Sequence, residues 1–193
     1  MATKFAGGSA GAGSSLWLAF HDDLADPKSS DPVLRESSRL ACAGATSCQF
    51  SYDILEWEKL FGEANRKYGE NQDQPAFYGL KTAEDLRGPV GRKIRADCDM
   101  RGLISKDDPP VFLSSAMPGG DITNRGHLLH HPKHAKAIYD RCRELGVGDP
   151  DSRQAGDARG GDAVGRGREP LPGCRGIQPV DRHEPGDRDG GHR

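Results

Sequence analysis

The feature that most constrains the fold is a glycine-rich turn, Gly7-Gly8-Ser9-Ala10-Gly11, between a strand-like segment and a helical pattern. Residues 3–6 predict a short strand before this turn. Residues 12–25 predict a helix that packs on a sheet, because apolar side chains recur at helical spacing. Its apolar stripe consists of Leu16, Trp17, Phe20 and Leu24. A strand, a tight turn and a helix in this order indicate an α/β fold.

Strand-like and helical segments continue to alternate along the chain. Residues 40–45 are small and apolar, as expected of a strand buried on both faces, and residues 109–113 predict another strand that a diproline introduces. Residues 54–61 are helical in pattern, and the polar stretch 62–91 predicts loops and short helices over the sheet. This alternation predicts a parallel sheet with covering helices.

The clearest helical pattern lies between Pro132 and Gly146. Proline is favoured in the first turn of a helix, and glycine commonly follows the last turn. The apolar stripe of this helix consists of Ala135, Ile138, Tyr139 and Cys142.

The composition changes abruptly after Val147. Residues 148–193 contain no Phe, Trp, Tyr, Met, Lys, Thr or Asn and consist largely of Gly, Arg, Asp, Pro and Ala. Such a segment has too little apolar surface to build a core, so we expect it to be disordered. The predicted organisation is one α/β domain at residues 1–147 and a low-complexity tail at residues 148–193.

Two hypotheses account for this tail. A parallel sheet needs another strand after the helix that ends at Leu145, and a one-nucleotide shift of the reading frame permits Ile or Thr codons in place of Asp149 and Asp151. With Val147, these residues would restore the alternation of a strand, so the tail is explained by translation out of frame. The alternative is a genuine disordered linker, and the nucleotide sequence distinguishes the two.

Charge and cysteine content predict neither a nucleic-acid partner nor a cofactor. The net charge is −2, with acidic and basic residues interspersed, and the five cysteines indicate neither a disulfide framework nor a zinc site. No stretch approaches the roughly 20 apolar residues that span a bilayer, and no export signal is visible. As the chain stands, we expect a cytoplasmic location and no transmembrane segment; the oligomeric state is not predicted.

The turn at Ser9 has the Gly-x-Ser-x-Gly pattern in which a serine is held on a strained strand-to-helix turn. Side chains at Gly7 and Gly11 are expected to collide where strand and helix approach, while the Ser9 hydroxyl faces outward at the carboxyl edge of the sheet. The Ala10 amide then supplies half of an oxyanion hole. The alternative is a flexible Gly/Ser-rich N-terminus, but the flanking strand and helix favour the turn.

The sequence resembles bacterial α/β-hydrolases of the esterase/lipase (carboxylesterase-like) group. The resemblance runs over residues 3–147 and is carried by the turn at Ser9, the following residues 14–27, the strand at residues 109–113 and the His130-His131-Pro132 helix start. It implies a partial α/β-hydrolase fold that corresponds to the C-terminal half, with the N-terminal strands missing. It also implies hydrolysis of a small-molecule ester through an acyl-enzyme, with Ser9 as nucleophile.

The order of catalytic residues in this family is serine, acid, histidine. Asp121 is the only carboxylate in the loop after the strand at residues 109–113, so the resemblance makes it the candidate acid; an ordinary turn aspartate is the alternative. Candidate bases near this loop are His127, His130, His131 and His134. We expect His130 or His131 to reach the pocket and take His130 as the candidate base.

Two other functions are compatible with these residues. The four histidines at three- and four-residue steps are also compatible with a metal site, although Pro132 interrupts their helical geometry; capping or surface histidines are a further alternative. Because half of the oxyanion hole is expected to be missing, we also consider a weakly active or inactive enzyme, or a non-catalytic fragment or binding module that retains only the fold.

Overall fold

Three parallel strands form the sheet of the fold, β1 (Lys4–Gly8), β2 (Cys42–Thr46) and β3 (Val111–Ser114), in the order β1-β2-β3. The computed structural model describes residues 3–69 and 74–147. All three strands were predicted, and their parallel pairing requires crossover connections that return each strand to the same end of the sheet. The α/β character that the alternating pattern predicted is therefore confirmed.

Helices supply most of these connections within the described ranges. A short 3-10 turn, Ile54–Glu56, leads directly into the second helix. The helices are α1 (Ala10–Phe20), α2 (Trp57–Phe61), α3 (Glu63–Tyr68), α4 (Gln74–Phe77), α5 (Ala83–Arg87), α6 (Pro89–Asp97), α7 (Met100–Leu103), α8 (Arg125–His130) and α9 (Lys133–Leu145).

The core lies between the sheet and the helices on one of its faces. Ala43, Ala45 and Leu113 are buried there and belong to one hydrophobic cluster with Leu16 of α1 and Ile138 of α9. Strand residues point alternately to opposite faces, so their neighbours in sequence occupy the other face. Because the three strands are parallel, their carboxyl ends lie at one edge of the sheet, and the loops that follow them carry the candidate site.

Helix α1 is shorter than the sequence pattern predicted. It ends at Phe20, with His21 in an extended conformation, and Leu24 lies outside the helix and is exposed. The Asp23 carboxylate accepts hydrogen bonds from the backbone of Ala25 and from Ser37 and Ser38. Aspartate side chains that bind nearby amides compete with helical hydrogen bonding, which explains the early end.

A local cluster fixes the end of α1 to α6. The Trp17 indole N–H donates to the Asp97 carbonyl at 2.8 Å, and the Trp17 and His21 rings lie 4.3 Å apart. His21 Nε2 lies 3.1 Å from the Asp97 carboxylate. Hydrogen bonding to the Asp22 carbonyl, together with the Asp97 carboxylate, raises the pKa of His21 above its usual value.

Helix α9 confirms the predicted helix in this region. Gly146 ends it in the left-handed conformation, with φ 72°, which favours glycine. Ile138 and Cys142 are buried as the pattern predicted, and His134 joins them on the buried face. The expectations for the tail, including disorder and out-of-frame translation, lie outside the described residues. Across residues 3–69 and 74–147, no helix combines the length and apolarity needed to cross a bilayer.

Candidate active site

Ser9 occupies the tight turn between β1 and α1 in an unusual backbone conformation. Its φ is 51° and its ψ is −116°, a region that non-glycine residues rarely adopt and that costs about 1–3 kcal/mol. The Ser9 N–H donates to the Thr46 carbonyl at 3.0 Å, and the Ser9 carbonyl accepts from the N–H groups of Ala12 and Gly13. The neighbouring strand and the first turn of α1 thus hold this conformation from both sides.

Gly7 is required by the close approach of β1 and α1. A Cβ atom at Gly7 would lie 2.4 Å from the backbone carbon and oxygen of Gly11, a distance that real contacts essentially never show. The expectation for Gly11 was wrong, because a Cβ atom there would meet nothing within 4 Å. The contact is made by the backbone of Gly11, and it requires that residue 7 has no side chain.

This difference provides a matched pair of variants. We expect Gly7→Ala to lower the free energy of unfolding by about 3 kcal/mol, because the new methyl group must displace backbone. Gly11→Ala should be neutral or stabilising by up to about 1 kcal/mol, because alanine is favoured over glycine in a helix. Urea denaturation of both variants measures the effect, and equal stabilities would contradict the proposed close approach.

A cavity of about 740 Å³ opens beside Ser9. It lies where the β1–α1 turn meets α8 and the segments that follow β2, at the carboxyl end of the sheet. Its described lining consists of Ser9, Ala10, Ser14, Gln49, Tyr52, Ile54, Trp57, Asn65, Gly69, Ala76, Phe77, Tyr78, Arg125, Leu129 and His130. Of the residues proposed from sequence, Ser9, Ala10 and His130 therefore share one cavity.

The backbone of β2 orients the His130 imidazole. His130 Nδ1 lies 3.0 Å from the Ser47 carbonyl oxygen, which can only accept, so Nδ1 carries the proton in this contact. The Gln49 amide, 3.3 Å from Nδ1, donates instead to the Leu129 carbonyl at 2.7 Å. This tautomer leaves the lone pair of His130 on Nε2, where it can accept a proton.

Asp121 does not share the cavity with Ser9 and His130. It is exposed, and no hydrogen bond or ion pair within the described ranges joins its carboxylate to an imidazole. The carbonyl of the preceding residue, Gly120, instead accepts a hydrogen bond from His131 at 3.1 Å. The candidate nucleophile, amide and base thus line one cavity that the candidate acid does not line, and among the described residues no hydrogen bond joins the Ser9 hydroxyl to His130.

The other three histidines each bind a separate backbone carbonyl. His127 donates to Pro118 at 2.9 Å, His131 to Gly120 and His134 to Leu128 at 2.9 Å. Among the residues that the structure describes, no group of three or more His, Cys, Asp or Glu side chains is placed to hold a metal ion. The arrangement of the described histidines therefore gives the metal alternative no support.

His134 is a core residue rather than a surface or capping residue. Its side chain is fully buried, its Nδ1 accepts from the Phe50 N–H at 3.2 Å, and its ring packs against Trp57 and Phe61. Burial away from water lowers the pKa of His134 to about 3. The imidazole is therefore neutral at physiological pH and acts as a hydrogen-bonded apolar group.

Sequence analysis did not identify Ser47 or Tyr52. Ser47 follows β2 directly and has a φ of 52°. Its N–H donates to the Ser114 carbonyl at 2.8 Å, and its own carbonyl orients His130. Tyr52 packs over Gly13, where a Cβ atom would lie 2.2 Å from the Tyr52 hydroxyl oxygen. The only sequence signal was their position after a predicted buried strand.

Comparison with solved structures finds a similarity to the acetyl ester-xyloside bifunctional hydrolase from Caldicellulosiruptor lactoaceticus. The sequence identity is 21%, the TM-score is 0.45, and the match covers 74% of this chain and 42% of that chain. The chain thus spans less than half the length of that protein. No protein-family model and no curated protein matches the sequence.

Proposed function

We propose that this chain carries the nucleophile side of a serine hydrolase site that acts on carboxylic esters. The observation that supports this function is the cavity shared by Ser9 and His130, in which Ser9 is held in a strained turn and the Ser47 carbonyl contacts His130 at Nδ1, which leaves Nε2 as the proposed proton acceptor. Strained residues held by surrounding structure are concentrated at functional sites. The Gly-x-Ser-x-Gly pattern then acts as a nucleophile elbow.

In the proposed reaction, His130 Nε2 takes the proton of the Ser9 hydroxyl as Oγ bonds to the ester carbonyl carbon. The tetrahedral intermediate collapses by breaking the bond to the alcohol oxygen, which receives that proton, and leaves an acyl-Ser9. Water then attacks the acyl carbon, gives its proton to His130 and releases the acid; the proton returns to Ser9.

The Ala10 amide is the proposed donor to the oxyanion. Ala10 is the first residue of α1, so its N–H has no acceptor within the helix, and it lines the cavity beside Ser9. A donor in this position stabilises the charge that develops on the carbonyl oxygen. The second donor remains unassigned, which is why we propose weak rather than full activity.

Asp121 is the acid that the resemblance implies, but His130 Nδ1 contacts the Ser47 carbonyl and not the Asp121 carboxylate. The Ser47 carbonyl occupies the Nδ1 position that a carboxylate fills in a complete triad. A carbonyl fixes the tautomer but stabilises the protonated imidazole less than a carboxylate does. We therefore propose a Ser9–His130 pair in which the Ser47 carbonyl orients the imidazole.

A serine-directed fluorophosphonate tests this function without a known substrate. Attack by Ser9 forms an oxygen–phosphorus bond and expels fluoride, so the probe requires the nucleophile but no acyl transfer. We expect one equivalent of label on Ser9 in the full chain, located by peptide mass spectrometry. The matched control is Ser14→Ala, since Ser14 also lines the cavity and its hydroxyl bonds the Ala10 carbonyl.

Loss of label in Ser9→Ala, with retention in Ser14→Ala, supports the proposed nucleophile. Absence of label on the wild-type chain would instead support the non-catalytic fragment or binding module. Label on Ser14 would place the reactive hydroxyl elsewhere and would refute the mechanism given above.

A further inference from the structure

The cavity beside Ser9 has an uneven distribution of charge. Arg125 is the one permanently charged residue among its described lining residues, and no described lining residue is aspartate or glutamate. An arginine guanidinium keeps its charge at all physiological pH values. The described wall of the cavity is thus positive and suited to an anionic group.

The Arg125 side chain is held in place by its Nη1 group, and among the described residues no acceptor contacts its Nε or Nη2. Its Nη1 donates to the Tyr68 carbonyl at 3.2 Å and to the Gly69 carbonyl at 2.9 Å. Within residues 3–69 and 74–147, no carboxylate forms an ion pair with this guanidinium. The Nε and Nη2 groups form the planar fork that pairs with a carboxylate through two hydrogen bonds.

Aromatic residues line the same cavity as Arg125. Phe77 lies 5.7 Å from the Tyr52 ring and 5.0 Å from the Tyr78 ring, and it is 65% exposed although it is a large apolar side chain. The Tyr78 hydroxyl donates to the Tyr52 carbonyl, and the Tyr52 hydroxyl donates to Gln49 Oε1 at 3.4 Å, so both rings are held in place. An exposed ring beside fixed rings offers a surface on which a flat apolar group can stack.

We propose that the cavity takes an ester that carries an aromatic group and a free carboxylate, with the carboxylate bound by Arg125 and the aromatic group stacked near Phe77. This proposal rests on the proposed function in one respect, which is the position of the ester carbonyl at Ser9. The cavity volume of about 740 Å³ is within the usual range for pockets that bind small molecules such as this ester.

Binding of a matched pair of probes tests the proposal independently of hydrolysis. The probes are 3-phenylpropionate and 3-phenylpropionamide, which have the same shape but differ in charge and contain no ester. We expect the full chain to bind the carboxylate about tenfold more tightly than the amide in calorimetric titrations, because the neutral amide has one acceptor oxygen for the arginine fork where the charged carboxylate has two.

The variants assign this preference to one side chain. Arg125→Gln should bind the two probes with equal affinity, whereas Arg101→Gln should keep the tenfold preference, since Arg101 is exposed and does not line the cavity. Equal binding by the wild-type chain, a preference that persists in Arg125→Gln, or no binding of either probe would overturn the proposal.

Failure of this proposal is distinguishable from failure of the proposed function. Charge-selective binding without fluorophosphonate label on Ser9 would support the proposed ligand class and contradict the proposed hydrolase function. Label on Ser9 without charge-selective binding keeps the hydrolase and removes the ligand class.

Discussion

Replacement of His130 by glutamine is expected to slow fluorophosphonate labelling of Ser9 by about a thousandfold. A positioned general base contributes roughly 10²- to 10⁴-fold to proton transfer, and glutamine cannot take the Ser9 proton. Its amide can still donate to the Ser47 carbonyl, which His130 Nδ1 contacts at 3.0 Å, so the loop contact is preserved. The labelling rate is measured with a fluorescent fluorophosphonate and gel densitometry.

The control for this variant is His21→Gln. His21 is a partly exposed histidine at the end of α1, 3.1 Å from Asp97, and it does not line the cavity. Its replacement removes an imidazole without removing the proposed base, so the labelling rate should stay within about twofold. Similar rates for His130→Gln and His21→Gln would remove His130 from the mechanism.

Acidification is expected to destabilise the fold because His134 is buried in its neutral form. An unfolded chain protonates this histidine near pH 6.5, whereas the folded chain does so only near pH 3. Between these values the unfolded state binds more protons, so the free energy of unfolding rises with pH. The contribution of His134 is complete above pH 6.5 and falls by about 1.4 kcal/mol per pH unit on acidification, to a total of about 5 kcal/mol.

Urea denaturation at several pH values between 4 and 8 measures this slope. His131 has a pKa lowered by burial and adds to the slope with the same sign, while Asp108 has a pKa raised by burial and opposes it at the acidic end. The matched variant His134→Gln retains a donor for the Leu128 carbonyl and an acceptor for the Phe50 N–H but does not titrate. An equally steep slope in this variant would show that other groups cause the acid sensitivity.

The turn at Ser9 was predictable because its requirements are local. A glycine at position 7 and a strand and helix on either side are visible in the sequence, and the φ of 51° at Ser9 follows from them. The role of Gly11 was not predictable, because it depends on which of two approaching backbones has room for a methyl group. That question is decided by the packing of α1 on β1, not by the pattern.

The surroundings of the histidines could not be predicted for a related reason. Four histidines near one helix start are compatible with catalysis, metal binding or capping, and only tertiary contacts distinguish these roles. His134 lies in the core because Trp57 and Phe61, more than 70 residues earlier in the chain, pack around its ring. His130 is oriented by Ser47, whose carbonyl carries no sequence signal at all.

The two tryptophans of the chain should make its intrinsic fluorescence depend on pH. Each indole lies against a histidine, Trp17 at 4.3 Å from His21 and Trp57 at 4.7 Å from His134, and protonated imidazole quenches indole emission more strongly than neutral imidazole. The pKa of His21 is raised and that of His134 is lowered to about 3, so the two quenching steps fall in separate pH ranges. Fluorescence therefore reports the titration of His21 at the end of α1 in the folded chain, and the acid unfolding that accompanies protonation of His134 beneath α9, without an attached dye.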